Sequence, residues 1–262
     1  MRLGLSMLFC LNKPFNTLVK YLSKINLNVE HVEIVDEGAH TLNSRRVNVL
    51  KEIFREKGLS LSVHAPFANI NIASPSPTIR HASLKRLKQS IMFSAQLNPE
   101  CWVFHPGLQN SAGGSRSLCW KLNLRGVKEL LKSARKFGVN IAIENVPDPF
   151  PFLLKSINDF RRFYEELGEC AYGLGLTFDV GHANINEQID DFLENFSDKI
   201  VHVHVHDNFG ENDSHLGIGY GNINWRRFLN MLKKINYEGA LVIESVRNVE
   251  ESIRRLKNLL ES

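Results

Sequence analysis

The sequence predicts an α/β chain closed into one (β/α)8 barrel, with residues 1–262 as a single domain. Three observations carry that expectation. Eight short apolar runs alternate with amphipathic segments, composition does not change along the chain, and 262 residues suit such a barrel. An open doubly wound sheet is the alternative, and the eightfold count favours closure.

The predicted strands cover residues 2–7, 31–36, 59–64, 101–105, 140–144, 175–179, 200–204 and 240–244. Each is short and rich in Val, Ile, Leu or Phe, as strands buried on both faces should be. After the first strand, Thr17, Leu18, Tyr21, Leu22 and Ile25 form a helical stripe; a second helix is expected over 46–57. Leu84, Leu87, Ile91 and Ala95 form the third stripe, with Lys85, Arg86 and Lys88 on the solvated side. Further helices are expected over 122–137, 157–167, 189–196, 225–235 and 249–260. Gly58 and Gly138 follow two of them as C-caps.

Charged residues make up 23% and the net charge is +4, a mildly basic balance that suits an acidic substrate without demanding one. The four cysteines, Cys10, Cys101, Cys119 and Cys170, form no C-x-x-C pair, so reduced thiols and a cytoplasmic location are expected. No run reaches the roughly 18 apolar residues of a membrane span. The apolar start lacks a basic cluster and a cleavage site, and reads as a first strand.

Reactive side chains concentrate where the predicted strands end. His64, His105, Glu144, Asp179 and Glu244 close strands three, four, five, six and eight. His182 follows strand six, and His202, His204 and His206 alternate along strand seven, so they share one face. Asp213 and His215 lie in the next loop. A single histidine at a strand end is usually a satisfied structural residue, and a single Glu there can cap the next helix. So many ionisable groups buried together would be costly without metals or partners. Imidazole and carboxylate suit zinc, manganese and related ions, and the strand ends of such a barrel carry its active site. Gly217, Gly219 and Gly221 invite comparison with a phosphate loop, but they do not join a strand to a helix start, so a tight turn before Trp225 is expected. Arg45, Arg46, Arg80 and Arg116 lie near the upper loops and could meet a phosphate, although each alone reads as an ordinary surface charge.

The segments His64-Ala-Pro-Phe, His105-Pro-Gly, Glu144-Asn, Phe178-Asp-Val-Gly-His182, His204-Val-His-Asp207, Asp213-Ser-His215 and Ile243-Glu244 resemble the signature blocks of a known superfamily. This is the xylose-isomerase-like barrel superfamily, which holds sugar and sugar-phosphate isomerases and epimerases, and the endonuclease IV type of DNA-repair enzyme. The resemblance to the isomerase and epimerase branch implies one metal held by Glu144, Asp179, His204 and Glu244. The repair branch binds three zinc ions, and its further ligands correspond to His64, His105, His182, Asp213 and His215. One to three divalent ions, zinc or manganese, are therefore the expected cofactors. The choice of His204 over His206 comes from the resemblance, through Asp207; alternation alone leaves it open. Phe67 and His206 are expected to touch substrate.

Two departures weaken the repair reading. Phe67 stands where those enzymes usually have Tyr, and Gly219-Tyr220-Gly221 where they have Gly-Glu-Gly. The segments after strands one and two look short and hold few basic or aromatic residues, whereas a duplex needs phosphate contacts and wedges. His31-Val-Glu33-Ile and residues 65–74 resemble the sugar branch.

The expected function is thus a metal-dependent isomerase or epimerase of a sugar or sugar phosphate, with Glu144 and Glu244 moving a proton through a metal-stabilised enediolate. The alternative is a zinc phosphodiesterase on abasic DNA. A scaffold whose metal only stabilises the fold fits poorly, since structural zinc sites are usually closed and thiolate-rich. Pairing of outer helices into a homo-oligomer stays open.

Overall fold

The computed structural model describes residues 1–25, 29–109 and 115–261. Eight strands, β1 (Arg2–Ser6), β2 (His31–Val35), β3 (Ser60–His64), β4 (Cys101–Phe104), β5 (Ile141–Glu144), β6 (Leu174–Asp179), β7 (Ile200–Val205) and β8 (Ala240–Ile243), close in sequence order. Every neighbouring pair is parallel, and β8 returns to β1 with Leu5 opposite Ile243. The expected strands agree to within a residue or two at each end.

Around them lie α1 (Phe15–Lys24), α2 (Ser44–Lys57), α3 (Pro77–Ala95), α4 (Arg116–Phe137), α5 (Ile157–Leu167), α6 (Val180–Ile185), α7 (Ile189–Phe196), α8 (Trp225–Lys234) and α9 (Val249–Glu261). Gly58 and Gly138 end α2 and α4 at φ 65° and 66°, the left-handed caps expected of them. The short α6 is new: Asp179 ends β6 and its Oδ1 accepts from the backbone N–H of His182 at 2.7 Å, starting the helix. No helix among the described residues is long and apolar enough to cross a membrane. All four cysteines are free.

The main apolar core lies between barrel and helices, where Trp102, Phe104, Trp120, Phe160, Phe163 and Phe178 are almost fully buried. Burial of each such side chain contributes roughly 1.5–3 kcal/mol. The inner face of the sheet is different. His31, Glu33, Ser62, Thr177, His202 and His204 are all buried, and Cys101, Val103 and Ala142 form a small separate apolar cluster. Burial on both faces holds, but the inward row is largely polar instead of branched and aliphatic.

One irregularity aligns that row. Between β6 and β7 the register jumps from Leu176–Ile200 to Thr177–His202, so Val201 is skipped and Asp179 comes level with His204. Val201 is left 51% exposed, lying over Gly175, where an added Cβ would sit 2.3 Å from Val201 Cγ2.

Candidate metal centre at the carboxyl end of the barrel

Glu144 is the hub. Its Oε1 lies 3.0 Å from His204 Nδ1, while its Oε2 lies 3.1 Å from His105 Nε2 and 3.3 Å from His64 Nε2. Glu244 Oε2 and Asp179 Oδ2 approach the same His204 Nδ1 at 3.5 and 3.9 Å. On the far side, Asp213 bridges His182 Nε2 at 3.4 Å and His215 Nε2 at 3.3 Å. The structure brings the expected ligand positions together as one floor at the strand ends, in three sets: Glu144, Asp179, His204 and Glu244; His64, His105 and Glu144; and His182, Asp213 and His215, joined by His206, which was expected instead to touch substrate. A fourth set, Glu33, His202 and His204, shares His204 with the first. Within each set, one donor atom per residue lies within 4.8 Å of the others.

Ring orientation fits metal binding. His64, His182 and His215 donate Nδ1–H to the backbone carbonyls of Ala65, Asn145 and Glu244 at 2.8–2.9 Å, leaving Nε2 facing the floor. Such outer contacts fix the tautomer a ligand needs. Glu144 Oε2, Asp179 Oδ2 and Asp213 Oδ1 are buried with no hydrogen-bond partner among the described residues. Buried carboxylate oxygens without donors are costly, and a divalent cation satisfies them. The donor set therefore fits divalent ions.

Without an ion, charge sharing among these groups is extreme. Burial opposes the charged form of His64, yet the Glu144 carboxylate beside it carries its pKa up to about 9. Burial likewise opposes charge on His182, but Asp179 and Asp213 raise it to about 10. His215 rises to about 9 against its burial because Asp213 is beside it. Burial would raise Glu144, but His204 and His105 hold it well below the ordinary carboxylate range. Glu244 is the exception. Burial raises it to about 7, opposed by His204 and reinforced by Glu33 and Glu144.

Above this floor is a cavity of about 470 Å³. Leu8, Leu11, Val35, Phe67, Phe150 and Val246 make its apolar wall, and Asn12 is a polar group apart from the His and carboxylate floor. Leu8 and Leu11 come from the segment after β1, which looked short in sequence and here supplies wall. Phe67 meets His64 edge-on, ring centres 5.5 Å apart, and lines the cavity. His206 does not line the cavity. It is fully buried, stacked on His215 at 4.0 Å, with Nε2 3.2 Å from Asp179 Oδ1. The ring is packed among His182, Asp213 and His215 and is not part of the cavity lining.

The sequence reading gave no role to Glu33, His202 or Asn145. Glu33 Oε2 accepts from Ser62 Oγ at 2.9 Å and faces His202 Nε2 at 3.1 Å. Asn145 clamps Asp179, accepting from its N–H at 2.8 Å and donating to its C=O at 2.9 Å. Asp207 proves to be an anchor for the following loop: its carboxylate accepts from Gly219 N at 2.8 Å and Trp225 Nε1 at 2.9 Å. With Gly219 at φ 79°, this segment is the tight turn expected.

Fold and floor together define a parallel eight-stranded barrel with metal-type donor sets at its carboxyl end. The xylose isomerase-like TIM barrel family model matches residues 25–259, and the chain belongs to that family. The crystal structure of a D-tagatose 3-epimerase-like protein superposes with a TM-score of 0.91 at 31% identity, covering 100% of this chain and 97% of that one. An uncharacterised protein of Methanocaldococcus jannaschii is 32% identical over 267 residues, covering 100% of this chain and 90% of the relative. A probable endonuclease 4 of Acholeplasma laidlawii is 23% identical over 208 residues, covering 73% and 69%.

Proposed function

We propose that the protein is a divalent-metal-dependent isomerase or epimerase of a neutral sugar. The carrying observation is the cavity: about 470 Å³, with a carboxylate and imidazole floor and neither Lys nor Arg among the described residues lining it. That size suits a small ligand. A duplex or a phosphate ester calls for cationic contacts, and the residues outside the description are Asn, Leu, Ser, Ala and Gly, which add none. The 31% identical epimerase-like structure supports the same reading.

In this reading Glu144, Asp179, His204 and Glu244 hold the ion, with His64 and His105 beside Glu144. When bound, the ion supplies Lewis-acid stabilisation of charge developing on a carbonyl oxygen. Glu144 and Glu244 approach the substrate from different strands; one removes the carbon-bound proton and the other returns one. Glu244, near neutrality in pKa, is suited to either direction of transfer. Phe67, Phe150 and Val246 exclude water from the reacting carbon.

The fuller donor set of His182, His206, Asp213 and His215 favours a second reading, a zinc phosphodiesterase on abasic DNA. One experiment separates them. The metal-loaded protein is incubated in deuterated water with a panel of ketoses and aldoses, and in parallel with a labelled duplex carrying one abasic site. Deuterium incorporation at the epimerised carbon, lost in Glu244→Gln, is expected. Metal-dependent strand cleavage lost in Glu144→Gln, with no deuterium exchange, would replace this reading with the nuclease.

A further inference from the structure

The ring of His204 faces two ways. Nδ1 points to the floor, toward Glu144 and Glu244, while Nε2 lies 3.2 and 3.3 Å from the two carboxylate oxygens of Glu33, inside the barrel. This reverses His64, His182 and His215, which turn Nδ1 outward to backbone carbonyls and present Nε2. Glu33 and His204 are both fully buried.

Glu33 is itself held in a chain of buried polar contacts. Arg2, always a donor, gives a hydrogen bond to Ser60 Oγ at 2.9 Å. Ser60 Oγ stands 2.8 Å from His31 Nδ1, and His31 Nε2 stands 2.9 Å from Ser62 Oγ. Ser62 spends its only proton on Glu33 Oε2 at 2.9 Å, so it accepts from His31 Nε2–H, while Ser60 Oγ also reaches the Glu30 carbonyl at 3.2 Å. Burial with His202 nearby lowers the pKa of His31 to about 3. His202 Nε2 supplies a second donor to Oε2 at 3.1 Å. His204 Nε2 hydrogen-bonds Oε2 at 3.3 Å and stands 3.2 Å from Oε1, which has no hydrogen-bond partner among the described residues.

We infer that Glu33 is a positioning residue: it takes the Nε2 proton of His204, fixing the tautomer and ring angle that aim Nδ1 at the metal. The inference rests on His204 being a ligand, as proposed above. A carboxylate in this outer position raises the donor strength of the imidazole, and its loss typically weakens metal binding about 10- to 100-fold. Glu33 meets no substrate, so its effect is on the ion.

The test is zinc affinity by competition with a chromophoric chelator, read on wild type, Glu33→Gln, His204→Ala and the double variant. Glu33→Gln is expected to weaken zinc binding about 10- to 100-fold, and to cost nothing further in the His204→Ala background. The cobalt(II) visible spectrum of Glu33→Gln should also shift. Ser62→Ala, which leaves the charge in place, should give a smaller loss in the same direction, and answers the question if Glu33→Gln does not fold. Unchanged affinity in Glu33→Gln and in Ser62→Ala would overturn the inference while leaving the ligand reading intact. So would an equal further loss in the double variant, or loss of one whole ion with the remaining affinity unaltered. A wild type that binds no zinc or cobalt would remove the ligand reading, and this inference with it.

Discussion

Glu144 Oε1 and His204 Nδ1 lie 3.0 Å apart at the floor of the cavity, although 60 positions separate them in the chain. Barrel closure and the β6–β7 register jump bring them together, and most of the proposed chemistry depends on this pair.

Replacing Glu244 with Gln keeps the shape of the floor but removes a proton carrier. Turnover of the substrate found in the sugar panel is expected to fall about 10²- to 10⁴-fold, the usual scale of acid–base catalysis. Steady-state kinetics with metal content measured alongside would check this; unchanged kcat at full metal loading would rule Glu244 out as a proton carrier.

Metal binding should depend on pH in a defined direction. His64, His182 and His215 sit at about 9, 10 and 9, above their ordinary 6.5. Their protonation stabilises the metal-free fold fully below pH 6.5, and that contribution is lost as pH rises through 9 to 10. Glu244, raised to about 7 from 4.5, acts in the same direction over its own range. An ion must displace these protons, so zinc affinity should climb between pH 6 and 8 by about tenfold per unit for each proton released. Isothermal titration in two buffers of different ionisation enthalpy counts those protons; a count of zero contradicts the charge sharing described.

Removing the ion should soften the fold without erasing it, because the core between barrel and helices is built from side chains alone. Holding free metal at 100 times its dissociation constant adds about 2.7 kcal/mol. For a chain of this size each kcal/mol moves Tm by about 2–4 °C. Chelation is therefore expected to lower Tm by roughly 5–10 °C with a cooperative transition retained. A metal-free protein with no transition would make the ion a folding requirement.

Gly181→Ala tests how tightly the third donor set is packed. An added Cβ would stand 2.1 Å from His206 Cε1 and 2.4 Å from its Nε2. The ring would have to move, at a cost of about 1–3 kcal/mol. A thermal melt should show the lower Tm, and His206 ring protons should shift by NMR; an unchanged spectrum would contradict the contact.

Much of this was legible in the sequence because barrel strands repeat a simple pattern. The strand ends at His64, Glu144, Asp179 and Glu244 each follow an apolar run, and a polar residue at such a boundary stands out. Glu33 and His202 were harder. His31-Val-Glu33-Ile alternates polar and apolar as a half-solvated strand would, and only closure of the sheet turns the polar row inward. The helix bearing His182 is too short to show a periodic stripe. His206 shares the alternation of His202 and His204, so nothing local distinguishes a ring that lines the cavity from one packed out of it.

The pairing of β1 with β8 has a consequence for how the protein is made. On the ribosome the first strand waits, with one edge unpaired, until the last emerges. Glu244 directly follows that last strand, so the site and the seam are finished in the same moment. A nascent chain interrupted before Ala240 exposes two bare sheet edges and an incomplete floor, a species for chaperones and proteases instead of a smaller closed barrel.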